Sequence, residues 1–203
     1  MARMMPGAAA RPAVDRVQAL CDGLASSQAR IKYGSAKQLI RISEENPGLL
    51  QPHFDLFVRV MDGEARILRW NAARILAHLA NVDSDCRIDA LLDRYLAPIC
   101  GNEMIAAANT IQGAADIALA KPYLADRLAR AIVEVRHAHY QRPECRQVAA
   151  GHAIQALDRF FHHVQRKEII LAFVAAQLES PRPATRRKAK RFLAKWKRRT
   201  MNS

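Results

Sequence analysis

Five stretches of this chain repeat one apolar pattern, and that recurrence limits the fold more than any other feature. The clearest copy runs from Arg69 to Ala80. Its apolar residues Ala72, Ile75, Leu76 and Leu79 fall at i, i+3, i+4 and i+7, the spacing of one helix face. Ala and Leu are strong helix formers, and no Gly or Pro interrupts the stretch from Ala65 to Asn81. The small Ala72 lets a neighbouring helix approach closely, and the branched Ile75 and Leu76 fill the space beyond it. Aligned on the small residue, the copies stand at Ala36, Ala72, Ala108, Ala150 and Ala189, with spacings of 36, 36, 42 and 39 residues.

A helix precedes each copy. Val14–Leu24, His53–Met61, Asp83–Leu96, Pro122–Val135 and Ile169–Leu178 carry apolar residues at helical spacing, and Asn46-Pro47-Gly48, Asp62-Gly63 and Ser180-Pro181-Arg182-Pro183 break the runs. Ser26-Ser27, Asp83-Ser84-Asp85 and Asn102 are the expected N-caps. Ten helices in five pairs at a near-constant period predict an all-α chain folded as a right-handed α-solenoid. A compact all-α bundle is the alternative. The period excludes leucine-rich repeats, and the ankyrin and tetratricopeptide signatures are absent.

The paired helices and their spacing resemble the HEAT/armadillo group from about Val14 to Trp196. The first helix is short for that group, and the fourth unit carries an insert around Arg136 to Arg142. The resemblance implies a single repeat domain over 14–197, between a disordered arm at 1–13 and a basic tail at 198–203. It also implies that the second helix of each pair lines a concave groove. Residues one, two and five places after each small alanine then point into it: Lys37, Gln38 and Arg41; Arg74; Asn109, Thr110 and Gly113; Gly151, His152 and Gln155; Lys190 and Arg191. Lys37, Arg41, Arg74, Asn109, His152 and Gln155 are the groove-binding candidates.

Charge is concentrated at one end. The chain has a net charge of +13, and ten basic residues with no acid lie between Arg182 and Arg199, leaving a net charge of only +3 on the remainder. Ala189, Phe192, Leu193 and Trp196 form an apolar stripe on this last helix. Arg187, Lys190, Arg191, Lys195 and Arg198 are the candidate polyanion contacts, because clustered Lys and Arg are an electrostatic footprint. The partner expected from this charge is a protein with an acidic surface, with nucleic acid as the alternative. An anionic lipid surface is the third taker of such a helix.

Catalytic patterns are absent. There is no G-x-S-x-G, no glycine-rich phosphate loop and no H-E-x-x-H. His137, His139, Cys145, His152, His162 and His163 are close in sequence, but none has the paired spacing of a zinc site, so neither metal nor cofactor is expected. Cys21, Cys86, Cys100 and Cys145 are widely spaced and read as free, mostly buried thiols of a cytoplasmic protein. No run approaches the length of a membrane span, and residues 1–14 lack the apolar core of a secretory signal. Helical repeats and a basic groove are also similar to the HEAT-like alkylpurine DNA glycosylases, whose grooves hold aromatic residues and an aspartate. Asp116 and Asp158 are the carboxylates on second helices here. The family's site residues do not match position by position, and aromatics make up only 6% of the chain. The expectation is therefore a non-catalytic scaffold.

Overall fold

The computed structural model of the protein describes residues 11–201, and side chains over 13–197. The first ten residues of the expected arm, and the side chain of Arg198, lie outside the described residues. Every regular element among the described residues is helical. No described helix is long and apolar enough to cross a membrane. The chain divides into two compact units, one ending at Cys86 and the other beginning at Arg87.

The first unit holds α1 (Arg11–Gly23), α2 (Ala29–Glu45), α3 (Phe54–Met61) and α4 (Arg66–Leu79). Here α1 packs on α2, α2 on α4, and α3 on α4. Val17, Leu39, Phe57, Ala72 and Leu76 lie in its core. Ser43 Oγ donates to the Ile40 carbonyl at 2.6 Å and lies 2.8 Å from His78 Nδ1. A hydroxyl has one proton to give, so His78 is the donor of the second bond. The pair ties α2 to α4 and is not arranged as a nucleophile and its base.

At the α1–α2 contact, a Cβ on Gly23 would lie 2.3 Å from Ser35 Oγ and 3.1 Å from Ser35 Cβ. Gly23→Ala is therefore expected to destabilise the unit by about 1–2 kcal/mol, as overpacking does. Adding Ser35→Gly should recover much of that loss in urea titration.

The second unit holds α5 (Arg87–Leu96), α6 (Met104–Ala120), α7 (Ala125–Val133), α8 (Pro143–Phe160), α9 (Lys167–Ala176) and α10 (Pro183–Met201). In this unit α8 lies between α6 and α10, and α7 packs on both α8 and α9. Tyr140, in the Arg136–Arg142 insert, anchors that loop by donating to the Ile99 carbonyl at 2.7 Å. Pro122 opens a 3-10 turn, Pro122–Leu124, ahead of α7.

The expected caps at Ser26-Ser27 and Asn102 are not used. Gln28 and Glu103 hold the N-cap positions, without a side-chain cap bond. Ser26 Oγ instead accepts from the Gln28 N–H at 3.1 Å, closing a local turn before the helix starts. Cys86 immediately precedes α5 and sits at φ 54°, in the left-handed region.

Burial sets the register of the copies more sharply than residue size does. Leu68, Ala72, Ile75 and Leu79 are buried at i, i+4, i+7 and i+11. The same spacing recurs at Ala107, Ile111, Ala114 and Ala118, at Ala149, Ala153, Ala156 and Phe160, and at Thr185, Ala189, Phe192 and Trp196. The positions equivalent to Ala72 are thus Ile111 and Ala153 rather than Ala108 and Ala150. Ala108 is only half-buried.

Candidate functional site

In the second unit α6, α8 and α10 enclose a cleft of about 450 Å³. Gln112 lines it from α6; His152, Gln155, Asp158 and Arg159 from α8; and Lys188, Arg191 and Phe192 from α10. The corrected register explains these walls. Gln112 stands one place after its buried position, Gln155 and Arg191 two places, and Asp158 five.

Lys188 is the central cation. Its Nζ donates to the Gly151 carbonyl at 3.2 Å and to Gln155 Oε1 at 2.8 Å. Both acceptors are neutral, so the ammonium charge is not balanced by either. Gly151 makes the approach workable: a Cβ there would lie 3.3 Å from Lys188 Nζ and 3.1 Å from Thr185 Oγ1. Burial, then Arg182 and Arg191, lower the pKa of Lys188. Burial, then Lys188 and Arg182, lower that of His152. Both groups are thus pressed toward their neutral forms, by burial first and by neighbouring positive charge second. Among the described residues the His152 ring makes no hydrogen bond; its backbone carbonyl accepts from Gln112 Nε2 at 3.4 Å.

The cleft's aspartate is already engaged. Asp158 Oδ1 accepts from Lys195 Nζ at 2.8 Å and from Trp196 Nε1 at 2.7 Å. Asp116 is bound in the same way by Arg159. Each bond joins an acid five places after a buried reference residue to a cation six places after the next one. They form two equivalent rungs, α6 to α8 and α8 to α10.

The groove candidates are distributed between the units. Lys37, Arg41 and Arg74 belong to the first. Lys37 is exposed, Arg41 pairs with Glu45 at 3.5 Å one turn along its own helix, and Arg74 reaches across to Glu44 on α2. Asn109, His152 and Gln155 belong to the second, where only His152 and Gln155 line the cleft. The Asn109 amide is spent on the Ile105 carbonyl, 2.8 Å away and one turn back. Thr110, Gly113 and Gly151 are buried rather than turned outward; for Thr110 and Gly151 this follows from the register above.

Among the polyanion candidates, Arg187, Lys190 and Arg191 are exposed and make no hydrogen bond or ion pair among the described residues. Lys195 is held by Asp158 and lies 4.8 Å from the Trp196 ring centroid. Lys188, Gln112 and Arg182 were not among the candidates. Gln112 and Lys188 stand one place to either side of the buried Ile111 and Ala189, and Arg182 lies just ahead of α10.

The thiols differ from the expectation in part: Cys21 is buried and Cys145 half-buried, but Cys86 and Cys100 are exposed. Burial, with Asp22 beside it, pushes the Cys21 pKa up to about 11. Burial and Glu134 also push Cys100 up. Neither is a thiolate near neutral pH. A scan against models of known protein families gives no match, and no curated protein matches the chain.

Proposed function

We propose that this chain is a non-catalytic helical-repeat scaffold of the HEAT-like kind, a right-handed α-solenoid in form. In this reading it binds a protein with an acidic surface through the cationic side of α10 and the adjoining cleft. The observation that carries the reading is the set of free, exposed cations Arg187, Lys190 and Arg191, with no acid answering them. A charged outer face would keep a terminal helix soluble, but solubility is served as well by mixed charge. A surface of one sign steers an opposite one and raises its association rate. The solenoid form is supported by the ordered stack of α6, α8 and α10, by α7 packing on α9, and by the shared burial spacing. The non-catalytic reading rests on Asp116 and Asp158 each holding a cation. The free thiols fit a cytoplasmic setting.

Fluorescence anisotropy with a labelled Asp/Glu-rich peptide, and in parallel with duplex DNA and single-stranded RNA, tests this at low and moderate salt. The wild type should bind the acidic peptide. Arg187→Gln, Lys190→Gln and Arg191→Gln together should weaken it roughly 10- to 100-fold, each exposed pair contributing up to about 1 kcal/mol. Tight nucleic-acid binding that falls by orders of magnitude with salt would put the alternative reading in its place. Absence of binding to every probe would sink both.

A further inference from the structure

The cleft of the second unit has more positive charge than its own acids neutralise. Arg159 is matched by Asp116, and Lys195 by Asp158. Lys188 is hydrogen-bonded to neutral acceptors alone, leaving one of its three N–H groups unused. Arg191 is free and lines the same cleft, and Arg182 lies close enough to act on both His152 and Lys188. Two cations that no acid matches among the described residues, Lys188 and Arg191 of α10, and the His152 ring of α8 therefore share the cleft, with Arg182 nearby just ahead of α10.

We infer that this cleft binds a phosphoryl group, held by Lys188, Arg191 and the His152 ring, and that the group is carried on a side chain of the acidic partner protein. The inference rests on the proposed function and specifies the chemistry that the partner presents. A carboxylate brings one charge and accepts in a plane. A phosphomonoester brings nearly two charges at neutral pH and three acceptor oxygens. Against two unmatched cations a dianion brings a matching charge, and a carboxylate answers only one. Lys188 and Arg191 reach in from α10 and His152 from α8, so the donors come from two walls of the cleft. The volume, about 450 Å³, is that of a small-ligand site.

A proton accompanies the anion. His152 is pressed toward its neutral form by Lys188 and Arg182 from the α10 side, with burial contributing most. Gln112 on α6 is neutral, and Asp158 and Arg159 on its own helix are already paired. A bound dianion offsets the positive field at the ring and raises its pKa. Binding should therefore take up a proton and strengthen as pH falls through the ordinary histidine range.

The full chain would be titrated with inorganic phosphate, and with one short acidic peptide in phosphoserine, serine and glutamate forms, while following the His152 ring resonances by NMR. The expected result is a phosphate-induced upward shift of the His152 titration midpoint. The phosphoserine peptide should bind roughly tenfold or more tightly than the glutamate form, since charge-assisted bonds to phosphate are the stronger. Arg191→Gln, an exposed position, should abolish that preference, and His152→Gln should abolish the pH dependence. Equal binding of the phosphoserine and glutamate forms would overturn the inference and leave the scaffold reading standing. A response to inorganic phosphate with no preference for the phosphoserine peptide would overturn the partner-borne source and assign the site to free phosphate esters. An unmoved His152 with every probe would overturn the site itself. If phosphate moved His152 but no acidic peptide bound, the function reading would fail and the cleft would remain.

Discussion

Trp196→Ala is expected to be among the most damaging single changes in the second unit, at about 3–5 kcal/mol. Trp196 is 7% exposed although it lies on the last helix. Its ring lies 4.6 Å from that of Phe161, which in turn meets Phe192 edge-on at 5.1 Å and 84°. Removing the indole empties the centre of this aromatic group and also takes a donor from Asp158. The loss would appear as a fall of roughly 2 M in the urea midpoint, taking a slope of about 2 kcal/mol/M. Trp196→Phe should cost less, because it keeps an aromatic ring in the group while losing the N–H and part of the indole's volume. If alanine and phenylalanine were equally harmful, the hydrogen bond to Asp158 rather than the packing would dominate.

Asp89→Ala should cost about 3 kcal/mol, the penalty for leaving a buried cation without its partner. Lys121 is 6% exposed and its Nζ lies 3.4 Å from Asp89 Oδ2. The Tyr123 hydroxyl donates to Asp89 Oδ1 at 2.8 Å and receives from Lys121 at 3.3 Å. Alanine at 89 removes the carboxylate of this triad and with it the ion pair to the buried ammonium. Lys121→Met with Asp89→Ala should be milder than Asp89→Ala alone, since a pair replaced by apolar groups leaves no orphaned charge. A double variant at least as unstable as the single would show that the ammonium is not what suffers.

Helix identity and order were legible because they depend on local information. Apolar spacing fixes a face, and Pro and Gly interrupt it. Register between helices was less legible, for a definite reason. In α6 the run Ala106-Ala107-Ala108, and in α8 the pair Ala149-Ala150, offer several small residues on adjoining faces. Size alone cannot choose among them; the neighbouring helix chooses. The alignment on Ala108 and Ala150 was therefore displaced from the buried positions at Ile111 and Ala153. The same displacement carried Thr110 and Gly151 into the expected groove and passed over Gln112. His152 and Gln155 stayed in view because α8 turns that side to the cleft. Lys188 was missed because its value depends on Gly151 and Gln155, which are distant in sequence. Capping by Ser26 and Asn102 failed for a related reason: a short polar side chain has alternative backbone partners, and its composition does not say which it takes.

The two rungs between inner helices are not identical at their ends, and this gives the stack a grammar. α8 carries both halves, Asp158 toward α10 and Arg159 toward α6. α6 has the acid, Asp116, but Ile117 stands where a cation would be. α10 has the cation, Lys195, but Ala194 stands where an acid would be. α6 therefore presents only the acid of a rung, α8 both halves and α10 only the cation. A second copy of the α8 segment could be spliced in between with every charge finding its match.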